Sequence, residues 1–85
     1  MKKFRTWHDA RIDEVEVVRE TAKFVAELDG QRWAKRNADF RNYFDTWAEA
    51  RQFLIDREIA EIADLERQLV QHQEALQKIE EMSQP

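Results

Sequence analysis

The chain has 85 residues, 42% apolar and 38% charged, with a formal net charge of −4, which leaves room for one domain with a modest core. No apolar run approaches the ~20 residues of a bilayer-spanning helix, and Met1 to Ala10 are charged with no apolar centre, so neither a membrane segment nor a secretory signal is expected. Zero cysteines exclude disulfides, thiolate metal sites and cysteine nucleophiles and are compatible with a cytoplasmic setting, while one glycine and one proline exclude glycine-rich phosphate loops.

The charge is unevenly divided. Residues 1–44 carry ten bases against eight acids, leaving +2, and residues 45–85 carry four bases against ten acids, leaving −6. An acidic half does not track a phosphate backbone, so any nucleic-acid contact would fall to the first half.

Lys2, Lys3 and Arg5 open the chain as a weak basic cluster. From Ile12 to Arg19 the valines Val15, Val17 and Val18 predict a strand, and a bend at Glu20-Thr21-Ala22 lets it pair with 23–28. Asp29-Gly30 then signals a hairpin. With those two residues as the loop, Leu28 opposes Gln31, Glu27 opposes Arg32, Ala26 opposes Trp33, Val25 opposes Ala34 and Phe24 opposes Lys35. One face then carries Phe24, Ala26, Leu28 and Trp33, and the other Lys23, Glu27, Arg32 and Arg36. A helical reading competes over residues 12–28. Val15, Val18, Ala22 and Val25 recur at helical spacing, with Gly30 as a terminating glycine. The β-branched content and the sorted hairpin favour strands.

The next segment interleaves bases with aromatics. Arg32, Lys35, Arg36 and Arg41 can meet phosphates while Trp33, Tyr43 and Phe44 stack on bases. The simpler reading makes Trp33, Phe40 and Phe44 core and the bases a solvated rim, because so small a domain needs its aromatics inside.

A long helix follows. No Gly or Pro interrupts Trp47 to Met82, and Thr46-Trp47-Ala48-Glu49 reads as a capping box in which the Thr46 hydroxyl accepts from the Glu49 amide and the Glu49 carboxylate reaches back to the Thr46 amide. Trp47, Ala50, Phe53 and Leu54 are the expected lid over the sheet, with Phe40, Tyr43 and Phe44 in the connecting loop. A seven-residue row runs Ala48, Ile55, Ile62, Leu69, Leu76, and a second runs Glu58, Leu65, His72, Ile79. The row Arg57, Asp64, Gln71, Lys78 is wholly polar. At ~1.5 Å per residue this helix is ~54 Å long against ~25–30 Å for a compact globule of this size, so another copy is expected to cover the far part. The predicted oligomerisation surface is Ile55, Ile62, Leu65, Leu69, His72, Leu76 and Ile79.

His72 stands without a second histidine or a spaced carboxylate pair on its face, which favours a polar seam residue that fixes register over a metal ligand or pH switch. No metal or other cofactor is expected. Catalysis has little support, since the only aliphatic hydroxyls are Thr6, Thr21, Thr46 and Ser83, and the helical carboxylates have no cleft around them.

Glu16 to Val25, Ala34-Lys35-Arg36, and Tyr43-Phe44-Asp45-Thr46-Trp47-Ala48-Glu49-Ala50 together resemble small proteins encoded by bacteriophages and prophages. Those share a valine strand ending in Glu-Thr, a short strand pair with a Lys or Arg, and Tyr-Phe-x-Thr-x-x-Glu-Ala opening a helix. The match covers about residues 12–54 and does not extend into the heptad helix beyond. It implies a sheet-then-helix layout and a phage-encoded accessory protein in the bacterial cytoplasm, and it implies nothing about activity.

The expected fold is α+β, a two- to three-stranded antiparallel sheet followed by one long C-terminal amphipathic, coiled-coil-like helix. Residues 1–45 form a small β-rich head and 46–85 the oligomerisation helix, within a single domain. The expected function is a non-enzymatic interaction module that self-associates and binds a host or phage protein, with anti-defence inhibition as its use. The acidic surface Asp56, Glu61, Asp64, Glu66 and Glu74 suits such a partner, including by imitating DNA. The alternative is a dimeric nucleic-acid-binding regulator using Arg32, Lys35, Arg36 and Arg41.

Overall fold

In the computed structural model, which describes residues 1–37 and 40–84, six strands precede one helix. They are β1 (Lys2–Trp7), β2 (Ile12–Glu20), β3 (Phe24–Glu27), β4 (Arg32–Ala34), β5 (Arg36–Asn37) and β6 (Arg41–Phe44), followed by α1 (Trp47–Glu80). The strands form one antiparallel sheet in the order β4-β3-β2-β1-β6-β5. Its two end strands are consecutive in the chain and joined through Lys35 alone. The Lys35 N–H donates to the Lys23 carbonyl on the β3 side at 2.8 Å, and the Lys35 carbonyl accepts from the Tyr43 N–H of β6 at 2.8 Å. One residue therefore carries the sheet from one end to the other, and the result is a nearly closed barrel.

This corrects the expected two- to three-stranded sheet. Strands rather than a helix occupy 12–20 and 24–27, as the β-branched content indicated, but the amino-terminal basic cluster and Arg41–Phe44 of the supposed loop are strands too. They were hidden by their own polarity. Arg5, Asp13, Glu27, Arg41 and Tyr43 interact with one another inside the barrel, and Lys3 with Glu20, so its inward positions do not read as an apolar alternation. The apolar core is small: Val17, Val25 and Tyr43, with Val15 and Trp33 packed against them.

The hairpin is also corrected, by one residue. The Glu27 N–H donates to the Gln31 carbonyl at 3.0 Å, the Gly30 N–H donates to the Glu27 carbonyl at 2.9 Å, and the pairs are Phe24↔Ala34, Val25↔Trp33 and Ala26↔Arg32. The loop is thus Leu28-Asp29-Gly30, closed by Gly30 at φ +84°, a left-handed position that suits glycine. A slip of one residue exchanges the two faces of a strand. Val25, Glu27 and Trp33 consequently turn inward, while Phe24, Ala26, Leu28 and Arg32 face out.

On the outer face of β1 and β6, Phe4 pairs with Phe44 and Thr6 with Asn42. The first turns of α1 cover this row: the Phe53 ring lies 5.2 Å from that of Phe44, and Ala50 is fully buried. Trp47, expected in this lid, is half exposed instead. The helix starts at the predicted cap, where the Glu49 N–H donates to the Thr46 hydroxyl at 3.1 Å; the Glu49 carboxylate, expected on the Thr46 amide, instead accepts from that hydroxyl at 3.0 Å. One compact unit spans Met1–Ile55 and a second begins at Asp56. No helix among the described residues is long and apolar enough to cross a membrane.

Candidate functional site

Two ion networks fill the barrel. At one end Glu27 of β3 is the hub: it accepts from the Arg5 guanidinium, from Arg41 at 3.4 Å and from the Tyr43 hydroxyl at 2.9 Å. Arg5 also grips Asp13 through two bonds of 2.9 Å, and the Trp7 indole N–H donates to the same carboxylate at 3.2 Å. Burial pushes the Asp13 carboxyl up, but the bonds from Arg5 and Trp7 more than offset this and hold it below the ordinary carboxylate value. Tyr43 is pushed up to about 12, by burial first and by the Glu27 carboxylate second. The Arg41 guanidinium carbon lies 3.9 Å from the Trp33 ring centre and 4.5 Å from that of Trp7, and its Nε has no hydrogen-bond partner among the described residues.

At the other end Glu20 joins Lys3, at 2.8 Å, to Lys35, at 2.7 Å, and Lys3 also pairs with Asp45. The Lys3 and Lys35 hydrogen bonds hold Glu20 down at about 2. Burial lowers the Lys3 ammonium, but Asp45 and Glu20 together raise it above its usual value.

These contacts decide what the predicted basic surface can do. Lys35 is held by Glu20, Arg41 by Glu27 and two indoles, and Arg36 lies 4.0 Å from the Phe44 ring centre and donates to the Tyr43 carbonyl. Arg32 and Arg36 are the two exposed members of the four, Arg32 over the Phe24 ring at 5.1 Å and Arg36 at the opposite end of the sheet. The structure therefore does not assemble the four into one phosphate-binding surface. Phe44 is core, whereas Phe40 is half exposed and lies against Trp7 and His8.

The distal helix presents a different kind of surface. Ile59, Ile62, Leu65, Leu69, Leu76 and Ile79 are each between 48% and 61% exposed, values typical of a helix face with nothing against it. His72 sits exposed among them, and Ile55, the first of the predicted row, is half-buried. Of the predicted acidic surface, Asp64 bonds Arg67 at 3.3 Å and Gln68 at 2.8 Å, while Asp56, Glu61, Glu66 and Glu74 are exposed. Among the described residues no group of three His, Asp, Glu or Cys side chains could hold a metal ion.

Sequence reasoning missed the outer face of β2, β3 and β4. In β2 the register with β3 shifts between Val17 and Arg19: Val17 pairs with Glu27, and Arg19 with Ala26. Val18 is the extra residue of a β-bulge, and it reverses the alternation. Before it the odd residues Asp13, Val15 and Val17 turn inward; after it Arg19 faces out and Glu20 turns in. Nothing in the residue pattern signals the bulge, although a three-residue loop ending at Gly30 would have shown Glu27 inward. Comparison with known proteins adds no relative, since no family model, curated protein or solved structure matches the chain.

Proposed function

We propose that this chain is a non-enzymatic interaction module that self-associates through the distal face of α1 and binds another protein. The observation that supports it is the seven-residue row of half-exposed Ile62, Leu69 and Leu76, flanked by Leu65 and Ile79, opposite the polar row Arg57, Asp64, Gln71, Lys78. Covering each of these side chains gains on the order of 1 kcal/mol, and a second copy offers the same stripe. His72 within it fits a residue that sets register. The resemblance of residues 12–54 to phage and prophage proteins supports a phage-encoded accessory role toward a host protein, with inhibition of a defence as its use. The ion pairs that hold Lys35 to Glu20 and Arg41 to Glu27 weigh against the nucleic-acid regulator.

Light scattering on the eluting full chain tests the association. The expected mass is a multiple of 10.3 kDa that falls to 10.3 kDa in Leu65→Asp+Leu69→Asp, with the sheet signal retained. A single-chain mass for the unmodified protein, or an unchanged mass in the double variant, would overturn it.

A further inference from the structure

The bulge at Val18 and the one-residue hairpin shift together build a surface that the network residues do not use. Arg19 of β2 pairs with Ala26 of β3, and Ala26 pairs with Arg32 of β4, so the three stand in one row across three strands on the outer face. Strands lie ~4.8 Å apart, which puts the two arginine stems roughly 10 Å from each other with the small Ala26 as a floor between them. Phe24 forms the wall of this groove and Val18 lies beside it; they are 40% and 55% exposed. The space enclosed is about 480 Å³. A second groove of about 350 Å³ lies on the other side of Phe24 and includes Lys23.

Every charged side chain lining these two grooves is basic. Lys35 and Arg36 among them are held by Glu20, by the Phe44 ring and by the Tyr43 carbonyl. Arg19, Lys23 and Arg32 form no ion pair with any described residue. Elsewhere in the barrel arginine and lysine are neutralised with care: Arg5 has two carboxylates, Lys3 has two and Arg41 has one. A row of unneutralised cations over an apolar floor and wall is therefore a local exception.

We propose that this face docks an acidic peptide segment of a partner protein, with a carboxylate held between Arg19 and Arg32 and a neighbouring apolar side chain seated against Phe24. The proposal rests on the reading of the chain as a protein-interaction module, but not on its self-association. Charge complementarity selects an anionic occupant. The apolar content selects a peptide over a nucleic acid, since three unpaired cations around one aromatic ring offer neither a track for a phosphate backbone nor a platform for successive bases. The aromatic anchor ringed by arginines is the arrangement that concentrates binding energy at protein interfaces.

The test is fluorescence anisotropy of labelled probes titrated with the full chain: a peptide of interspersed Glu and Leu, its Lys and Leu counterpart, and single-stranded oligothymidine. The acidic peptide is expected to bind, and to bind more weakly as salt rises. Phe24→Ala should weaken it about tenfold, and Arg19→Glu+Arg32→Glu should abolish it. Arg67→Glu+Lys78→Glu, which changes the net charge equally, should leave affinity unchanged. Repeating the titration on Leu65→Asp+Leu69→Asp separates the groove from the helix, because groove binding persists when association is lost. Absence of binding by the acidic peptide, equal binding by the Arg19/Arg32 variant, or tighter binding of oligothymidine with the same residue dependence would each overturn the proposal.

Discussion

Glu27 shows how much of this barrel rests on single charged side chains. It is only 11% exposed and neutralises Arg5 and Arg41 while accepting from Tyr43. Removing one partner from a buried ion pair leaves a buried charge without compensation, which costs more than the pair contributes. Glu27→Gln is accordingly expected to lower unfolding stability by about 3 kcal/mol in denaturant melts, and Tyr43→Phe by about 1 kcal/mol. A loss below 1 kcal/mol for Glu27→Gln would show that the network adds little. The carboxylates also set the response to acid. Glu20 sits at about 2 because Lys3 and Lys35 hold its charged form, against ~4.3 in an unfolded chain. A depressed folded value gives stability that is complete above the unfolded value and is lost as pH falls toward the folded one. Melting temperature should therefore drop between about pH 4.5 and pH 2, and Glu20→Gln should flatten that drop. Tyr43 acts at the other extreme. Its raised value, about 12, gives stability that is present below ~10 and is lost as pH rises beyond it.

Elements differ in how plainly the sequence announces them. The helix start was legible because the Thr46 hydroxyl accepts from the Glu49 amide and donates to the Glu49 carboxylate, local bonds that depend on spacing alone. Thr46→Ala should cost about 1 kcal/mol, read as a lower melting temperature. The hairpin was legible as a turn but not in register. Gly30 accommodates a left-handed φ in a three-residue loop as readily as in a two-residue one, and the difference exchanges the faces of β3. Gly30→Ala tests this geometry. An added Cβ would meet nothing within 4 Å, so the expected loss of about 1 kcal/mol is backbone strain alone; a neutral substitution would mean the turn tolerates another conformation. Strands β1 and β6 were not legible because an alternation argument assumes apolar residues inside. Here Lys3, Arg5 and Arg41 turn inward with their counter-ions, while Thr6 and Asn42 are buried on the opposite face. The outer groove was invisible for a related reason. It exists only because Val18 is inserted and Arg19 changes side, and the register of a pair carries that information while the strand by itself does not.

For the whole molecule, the proposed self-association sets the apolar face of distal α1 against a second copy. A lone amphipathic helix segment in water is marginal even with good helix formers, and packing of its apolar face supplies most of its stability. Ile59, Ile62, Leu65, Leu69, Leu76 and Ile79 receive little such packing within one chain. Amide hydrogen exchange over a dilution series reads this directly, residue by residue. Amides from Ile59 to Ile79 should be protected at high protein concentration and lose protection together on dilution, while β2 and β3 keep theirs throughout. Protection of the distal helix that does not change with concentration, in a protein sedimenting at 10.3 kDa, would contradict the claim.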